Sequence, residues 1–284
     1  MARVIFIFGM IIFNAGFLSA QFDTIQLQQQ NFIAGNYTDF YADNLNNIFL
    51  INSENQLKKF NDKGDSVAVS NALRKYGNIY AVDVSNPLKI LVYYKDFSTL
   101  VILDRFLSNQ NTIDLRKYGI LQASAAAQSY DNNYWIFDAV ENKLKKIDNT
   151  GNLLLQTPDF RTIFHDSFLP SSIIDDNNFV YLYDSKKGWL IFDYYGAFKQ
   201  NIPLSNLNFV QVIKNDLYGF DAAQNMHRFN TKTFKESIYH FNLINTHAIK
   251  FLLGNSNLYM LTDDGLTVGH LDTNLLKRII SDLQ

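Results

Sequence analysis

Asp138, Asp184 and Asp221 each end a short aromatic segment of one type: Tyr134-Trp135-Ile136-Phe137-Asp138, Phe179-Val180-Tyr181-Leu182-Tyr183-Asp184 and Leu217-Tyr218-Gly219-Phe220-Asp221. Carboxylates repeated at one place in a fold could serve glycoside chemistry, where one acid protonates the leaving oxygen and a second carboxylate works from across the cleft. The same placement suits a plainer task, in which each side chain accepts the amides of the turn that follows it. Capping is the simpler reading, and a glycan site built on the three aspartates is the alternative. The acidic pairs Asp175-Asp176 and Asp263-Asp264 lack the Asp-x-Asp-x-Asp-Gly pattern of a calcium loop and read as solvated turns.

The histidines His165, His227, His240, His247 and His270 never fall at the His-x-x-x-His spacing that puts two metal ligands on one helix face. His240 and His247 flank one loop, while His227 and His270 read as equivalent places in a repeated strand, which favours a structural role. No Gly-x-Ser-x-Gly elbow is written, and no Gly-x-Gly-x-x-Gly or Gly-Lys-Ser/Thr sequence that would cradle phosphate. The sequence therefore assigns no catalytic residue, metal or cofactor.

Aromatic residues make up 15% of the chain. Most fall at apolar strand positions, where packing explains them, but two groups stand apart. Tyr194 and Tyr195 occupy a turn where neither is needed for packing. Phe160, Phe164 and Phe168 lie in a longer connection from Thr157 to Pro170, where their spacing predicts a small helix with three rings on one face. Together these five are the candidate interaction loop.

Elements that could position such residues emerge from an internal repeat. Turn residues followed by an apolar strand recur at Asn46–Asn52, Asn132–Asp138, Asn177–Asp184, Asn215–Asp221 and Ser256–Leu261, and Lys89–Tyr94 fills the remaining place. After each comes a second strand ending in an apolar residue, Asp or Asn, two residues and often Gly: Phe60-Asn61-Asp62-Lys63-Gly64, Ile147-Asp148-Asn149-Thr150-Gly151 and Phe192-Asp193-Tyr194-Tyr195-Gly196 carry it in full. That signature is a hairpin, with the side-chain oxygen capping the turn and Gly taking positive φ. Successive copies lie about 37 to 46 residues apart, the spacing of propeller blades.

Flanking strands complete each unit, among them Tyr37–Ala42 and Ser66–Val69 in the first, and Phe209–Ile213 and Phe234–Ile238 in the fifth. Ala123–Ala127 could be helix, and is read as a strand beside a narrow axis where small side chains fit. The expectation is an all-β fold, a six-bladed β-propeller of four-stranded antiparallel blades. Its ring would close through Phe22–Leu27 as an outer strand on the last blade, leaving Leu275–Ile280 displaced or as a terminal helix.

The hairpin signature after an Asn-led aromatic strand resembles the units of NHL-type and YVTN-type propellers and, more loosely, periplasmic BamB-like proteins. That resemblance implies a disc with a central channel, loops on two faces and a role in protein or glycan binding. The chain departs from neighbouring families: it has no Trp-Asp dipeptide, no kelch double glycine, and not the eight units of BamB-like proteins. Its Asn-, Ile- and Lys-rich style and Ser-Ala-Gln junction resemble exported proteins of Bacteroidota, as do the short acceptor-like triplets Asp23-Thr24-Ile25 and Asp65-Ser66-Val67 for O-glycosylation. Asn36-Tyr37-Thr38 would matter only in a eukaryotic secretory route.

Arg3, the apolar run from Val4 to Phe13 and the small residues before Gln21 lay out a secretory signal peptide over residues 1–20, cleaved after Ala20, with the propeller in 21–284; Leu18 is large for the −3 position, and an uncleaved N-terminal anchor is the alternative. No other stretch approaches the roughly 20 apolar residues of a membrane span. The chain has no cysteine, so an exported form relies on apolar burial and strand pairing, which fits a bacterial periplasm or surface. A formal charge of −2, with both signs interspersed, creates no field for nucleic acid or anionic lipid. The expected function is a non-enzymatic interaction scaffold of the cell envelope, periplasmic or outer-membrane-associated, docking an envelope protein. A glycan-binding or glycan-active propeller is the alternative.

Overall fold

A strand covered on both faces must be apolar at every position, because successive side chains point to opposite sides. Ile48–Asn52, Lys89–Tyr94, Tyr134–Asp138, Phe179–Asp184, Asp216–Phe220 and Asn257–Thr262 are such strands, and each is the second strand of a blade. The computed structural model describes residues 23–25, 28–70, 73–241 and 248–271. They form six sheets of four antiparallel strands, one carrying a fifth strand. Blade 1 is Tyr37–Ala42, Ile48–Asn52, Leu57–Phe60 and Ser66–Ser70; blade 2 is Ala81–Asn86, Lys89–Tyr94, Thr99–Asp104 and Asn109–Asp114. Blade 3 is Ala123–Gln128, Tyr134–Asp138, Lys143–Ile147 and Leu153–Gln156; blade 4 is Ser172–Asp176, Phe179–Asp184, Gly188–Asp193 and Phe198–Ile202. Blade 5 is Asn208–Ile213, Asp216–Phe220, Met226–Asn230 and Lys235–Phe241. Blade 6 takes Lys250–Leu253, Asn257–Thr262 and Gly265–His270, with Gln28–Ala34 as its outer strand.

Alternation along the second strands distributes the core among the blade interfaces. Ile48 and Leu50 pack with Tyr259 and Leu261 of blade 6, while Phe49 and Ile51 pack with Val82 and Ile90 of blade 2. Trp135 and Phe137 turn toward Val180 and Leu182 of blade 4, and Tyr134 and Ile136 toward Leu91 and Tyr93 of blade 2. Each inner strand contacts the inner strands of both neighbours, so the ring is closed. Ala123–Gln128 is an inner strand, with Ala123, Ala125 and Ala127 buried.

The turn signature has the geometry its chemistry requires. Asp104 Oδ1 accepts the amides of Phe106 and Ser108, Asp148 Oδ1 those of Thr150 and Asn152, and Asp193 Oδ1 those of Tyr195 and Ala197. Gly151 and Gly196 take φ of 95° and 77° at the position where a side chain would be strained.

Closure differs from the expectation in its detail. The outer strand of blade 6 is Gln28–Ala34, antiparallel to Gly265–His270, and not Phe22–Leu27. Within the earlier segment, Asp23–Ile25 pairs in parallel with Tyr239–Phe241 and adds the fifth strand to blade 5. The register follows burial: Ile33 joins the core between blades 6 and 1 only when Ala34 sits opposite Gly265. The proposed signal segment and Leu275–Ile280 lie outside the described residues, among which no helix is long and apolar enough to cross a membrane.

Candidate functional site: the channel and its two rims

Antiparallel blades that meander outward place their loops on two faces. The second-to-third hairpins and the connections between blades lie on one, the connection face; the inner-to-second and third-to-outer hairpins lie on the other, the hairpin face. Between them the inner strands leave a channel of about 910 Å³ lined by residues of every blade.

Polar side chains in this wall tie neighbouring inner strands together. Lys250 donates to Asp39 Oδ1 at 2.7 Å between blades 6 and 1, with its ammonium 4.0 Å from the Tyr41 ring centre. The Tyr41 hydroxyl donates to Asp39 Oδ2 at 2.8 Å. Burial, and then the Asp39 charge, push the Tyr41 phenol up, so it stays a donor. Burial lowers the Lys250 ammonium, against the pull of Asp39. Asp83 Oδ2 accepts the amide of Gln128 at 2.7 Å, joining blades 2 and 3, and Gln211 exchanges two hydrogen bonds with the Leu253 backbone, joining blades 5 and 6. Asp176 accepts the Asn215 amide between blades 4 and 5, and burial raises its carboxyl.

Asp175 makes the richest of these links. Its Oδ2 accepts the Trp135 indole N–H at 3.0 Å and the Ser129 hydroxyl at 3.1 Å, and its Oδ1 accepts the Tyr194 hydroxyl at 2.8 Å. On the hairpin face above it, Tyr130 stacks on Tyr194 with ring centres 4.2 Å apart and planes 17° from parallel. Lys146 Nζ lies 4.8 Å from the Trp135 ring centre and 5.2 Å from that of Tyr130, and pairs with Asp131 at 2.6 Å. Burial opposes ionisation of Asp131, but hydrogen bonds led by that of Lys146 outweigh it and hold the carboxyl below its usual range. Burial and the bond to Asp175 raise the Tyr194 phenol.

The fold separates the residues singled out from sequence. Asp138 is fully buried, pairs with Lys145 at 2.7 Å and accepts the amides of Val140 and Glu141. Asp184 accepts the amides of Lys186 and Leu169, and Asp221 those of Asn225 with His227 beside it. All three lie on the connection face, each accepting amides of its own hairpin, with Asp184 also holding the blade connection at Leu169, and none lines the channel. This removes them as a glycan-facing ring. Phe160–Phe164 is a helix, capped by Asp159 and ended by His165 at φ 56°, but Phe160 and Phe168 are buried. Phe160 stacks on Phe192 and meets Phe137 and Phe164 edge-on, so Phe160 and Phe168 fill the interface between blades 3 and 4 while Phe164 packs partly buried at its edge. Tyr194 is partly buried, whereas Tyr195 is 86% exposed.

Other readings also shift. Asp175 and Asp176 end an inner strand and are not solvated turns. His270 lies opposite Asn257 at the start of its neighbour, the place that Asn230 holds opposite Asp216 in blade 5, so it is not equivalent to His227. His227 sits between Asp221 and Glu236, His240 beside Asn225, and His247 lies outside the described residues. Among the described residues no group of three or more His, Cys, Asp or Glu side chains is placed to hold a metal ion.

Solved structures share the architecture of the ring. A streptogramin B lyase structure matches at 16% identity over 82% of this chain and 78% of its own, with a TM-score of 0.58. Catalytically inactive virginiamycin B lyase from Staphylococcus aureus with quinupristin matches at 11% identity over 87% of this chain and 100% of its own, TM-score 0.57. Selenomethionine-substituted virginiamycin B lyase from the same organism matches at 9% identity over 87% and 99%, TM-score 0.59. At these identities the likeness shows the propeller fold alone. No family model and no curated protein matches the chain.

Sequence reading passed over Asp39, Asp83, Gln211, Lys250 and Tyr130. The first three did leave a signal: in Tyr-Thr-Asp-Phe-Tyr-Ala, Ala-Val-Asp-Val-Ser-Asn and Phe-Val-Gln-Val-Ile an Asp or Gln sits near the centre of an inner strand that lines the channel.

Proposed function

We propose that this propeller is an exported, non-enzymatic platform of the bacterial cell envelope that docks a protein partner through its connection face. A collar of exposed apolar side chains supports the reading. Tyr80, Phe97, Leu121, Val140, Ile163, Leu169 and Ile249 are all exposed, and all belong to blade connections or second-to-third hairpins. Tyr80 and Ile249 also line the channel. The hairpin face exposes apolar side chains too, Leu45, Leu88, Phe106 and Phe234 among them, but among the described residues it is the connection face on which they run on to the channel mouth, through Tyr80 and Ile249, and an apolar patch rimmed by polar loops suits a protein contact surface. The connection 157–170 contributes Ile163 and Leu169 from its outer side, so it takes part in docking through these residues and not through its phenylalanines.

Export would proceed through the signal segment 1–20, and the mature chain would begin at Gln21, two residues before the strand Asp23–Ile25. The test is quantitative cross-linking of the mature protein in its native envelope. A stoichiometric partner should be captured by the natural chain, lost with Leu121→Asp plus Leu169→Asp, and kept with Leu45→Asp plus Leu88→Asp on the hairpin face. Capture that is indifferent to the collar, or no stoichiometric partner at all, would overturn the reading.

A further inference from the structure

The hairpin face carries a second site that the docking reading does not use. Tyr130 is 66% exposed although one of its faces is stacked on Tyr194. A ring with one face covered reaches that exposure only if the other face is open to solvent. An open aromatic face in water gains nothing by itself, yet this one is held rigidly. Tyr194 beneath it is fixed at its hydroxyl by Asp175 and by the Asn178 amide, and Asp175 is fixed in turn by Trp135 and Ser129. Preorganisation of this kind lowers the entropy lost on binding.

The groups around the ring define what it would accept. The Lys146 ammonium is deeply placed and neutralised by Asp131, so the site presents no free positive charge to an anion. That same ammonium already lies against the Tyr130, Trp135 and Tyr194 rings. At the rim, Asp131 is ionised and 32% exposed at its side chain, leaving acceptor capacity for hydroxyl donors. On the adjoining hairpin the Tyr195 ring projects freely. An apolar flat face edged by hydroxyl-binding acceptors, with no unpaired ammonium beside it, matches a pyranose ring, whose C–H face is apolar and whose equatorial edge carries hydroxyls.

We infer that the Tyr130–Tyr194 stack is a subsite for a neutral pyranose of a polysaccharide, with Asp131 as a hydroxyl acceptor. It is independent of the partner-docking reading, because the two lie on opposite faces of the disc.

The test is binding of the purified chain to an array of neutral glycans, followed by calorimetric titration with the hexasaccharides that score. Tyr130→Ala should weaken binding by about tenfold or more, and Tyr130→Phe, which keeps the ring, should hold affinity within about threefold. Thermal unfolding of both variants should stay close to that of the parent, since the side chain is mostly in water. Leu121→Asp plus Leu169→Asp should leave glycan affinity unchanged, which separates failure of this site from failure of the docking face. The inference is overturned if no neutral glycan binds, if Tyr130→Ala binds as the parent does, or if a proline-rich peptide and no glycan occupies the stack.

Discussion

Asp175 shows how a single side chain can hold a surface feature from below. Its two oxygens serve an indole, two hydroxyls and, at 3.4 Å, the Tyr130 amide, so they link the channel wall to the stacked tyrosines. Asp175→Ala strands several donors at once. A loss of about 2–4 kcal/mol is expected from urea unfolding, because each orphaned buried donor forfeits its solvation. Its near-ultraviolet circular dichroism should change with it as Trp135 and Tyr194 lose their anchor. A buried ion pair tests the same logic at the connection face. Lys145 and Asp138 have side chains only 6% and 1% exposed, so Lys145→Met leaves a carboxylate without its counter-charge and should cost about 3–5 kcal/mol. Adding Asp138→Leu would not restore stability, since Val140 and Glu141 would then lose the acceptor of their amides.

At the scale of the element, the third-to-outer hairpins are stabilised by carboxylates that accept amides. Hydrogen bonds led by that of Thr150 lower the Asp148 carboxyl from 3.8 to about 2. Asp193 is also lowered: burial works the other way, but Lys199 and the amides of Ala197 and Tyr195 prevail. A carboxyl that binds its proton more weakly folded than unfolded stabilises the fold fully above its unfolded value, and loses that contribution as pH falls through the folded one. Asp176, raised by burial, acts in the opposite sense, but it is outnumbered by the lowered groups Asp114, Asp131, Asp148, Asp193 and Asp221. The urea midpoint should therefore hold steady from about pH 7 to 5 and fall steeply between about pH 4 and 2. Asp104→Ala, which removes the acceptor of two amides, should cost about 1–2 kcal/mol at neutral pH.

Across the whole molecule, the ring depends on the two ends of the described chain meeting. Gln28–Ala34 supplies the outer strand of blade 6, and Lys250 reaches Asp39 across the same seam, so the last interface forms only after nearly the whole chain is available. Contacts of such long sequence separation slow folding. Removing residues 21–34 should leave blade 6 with three strands and abolish a single cooperative transition in calorimetry, whereas removing 21–27 should keep it at a lower midpoint. Gly265 gives a point test of the seam. It takes φ +148°, and an added Cβ would lie 2.3 Å from the Ile33 carbonyl oxygen, so Gly265→Ala should lower the midpoint by displacing the closing strand.

The strand pattern of the repeat and the hairpin signature determined the architecture, because both are local. An apolar run of five or six residues between turn residues, recurring at blade spacing, reads as a strand covered on both sides, and an Asp or Asn two residues before an amide that needs an acceptor caps it wherever the hairpin sits. Asp148 and Asp193 were legible on that ground alone. What each exposed or buried ring faces was settled by the circular stacking of blades. Phe160 became core because blade 4 brings Phe192 against it, and Tyr130 became part of a surface because a hairpin of blade 4 puts Tyr194 beneath it. Those pairs are distant in sequence, so their spacing carries no period to read. Likewise the closing strand began at Gln28 and not at Phe22, since only the packed seam between blades 6 and 1 fixes which residue of a polar, Gln-rich segment turns inward.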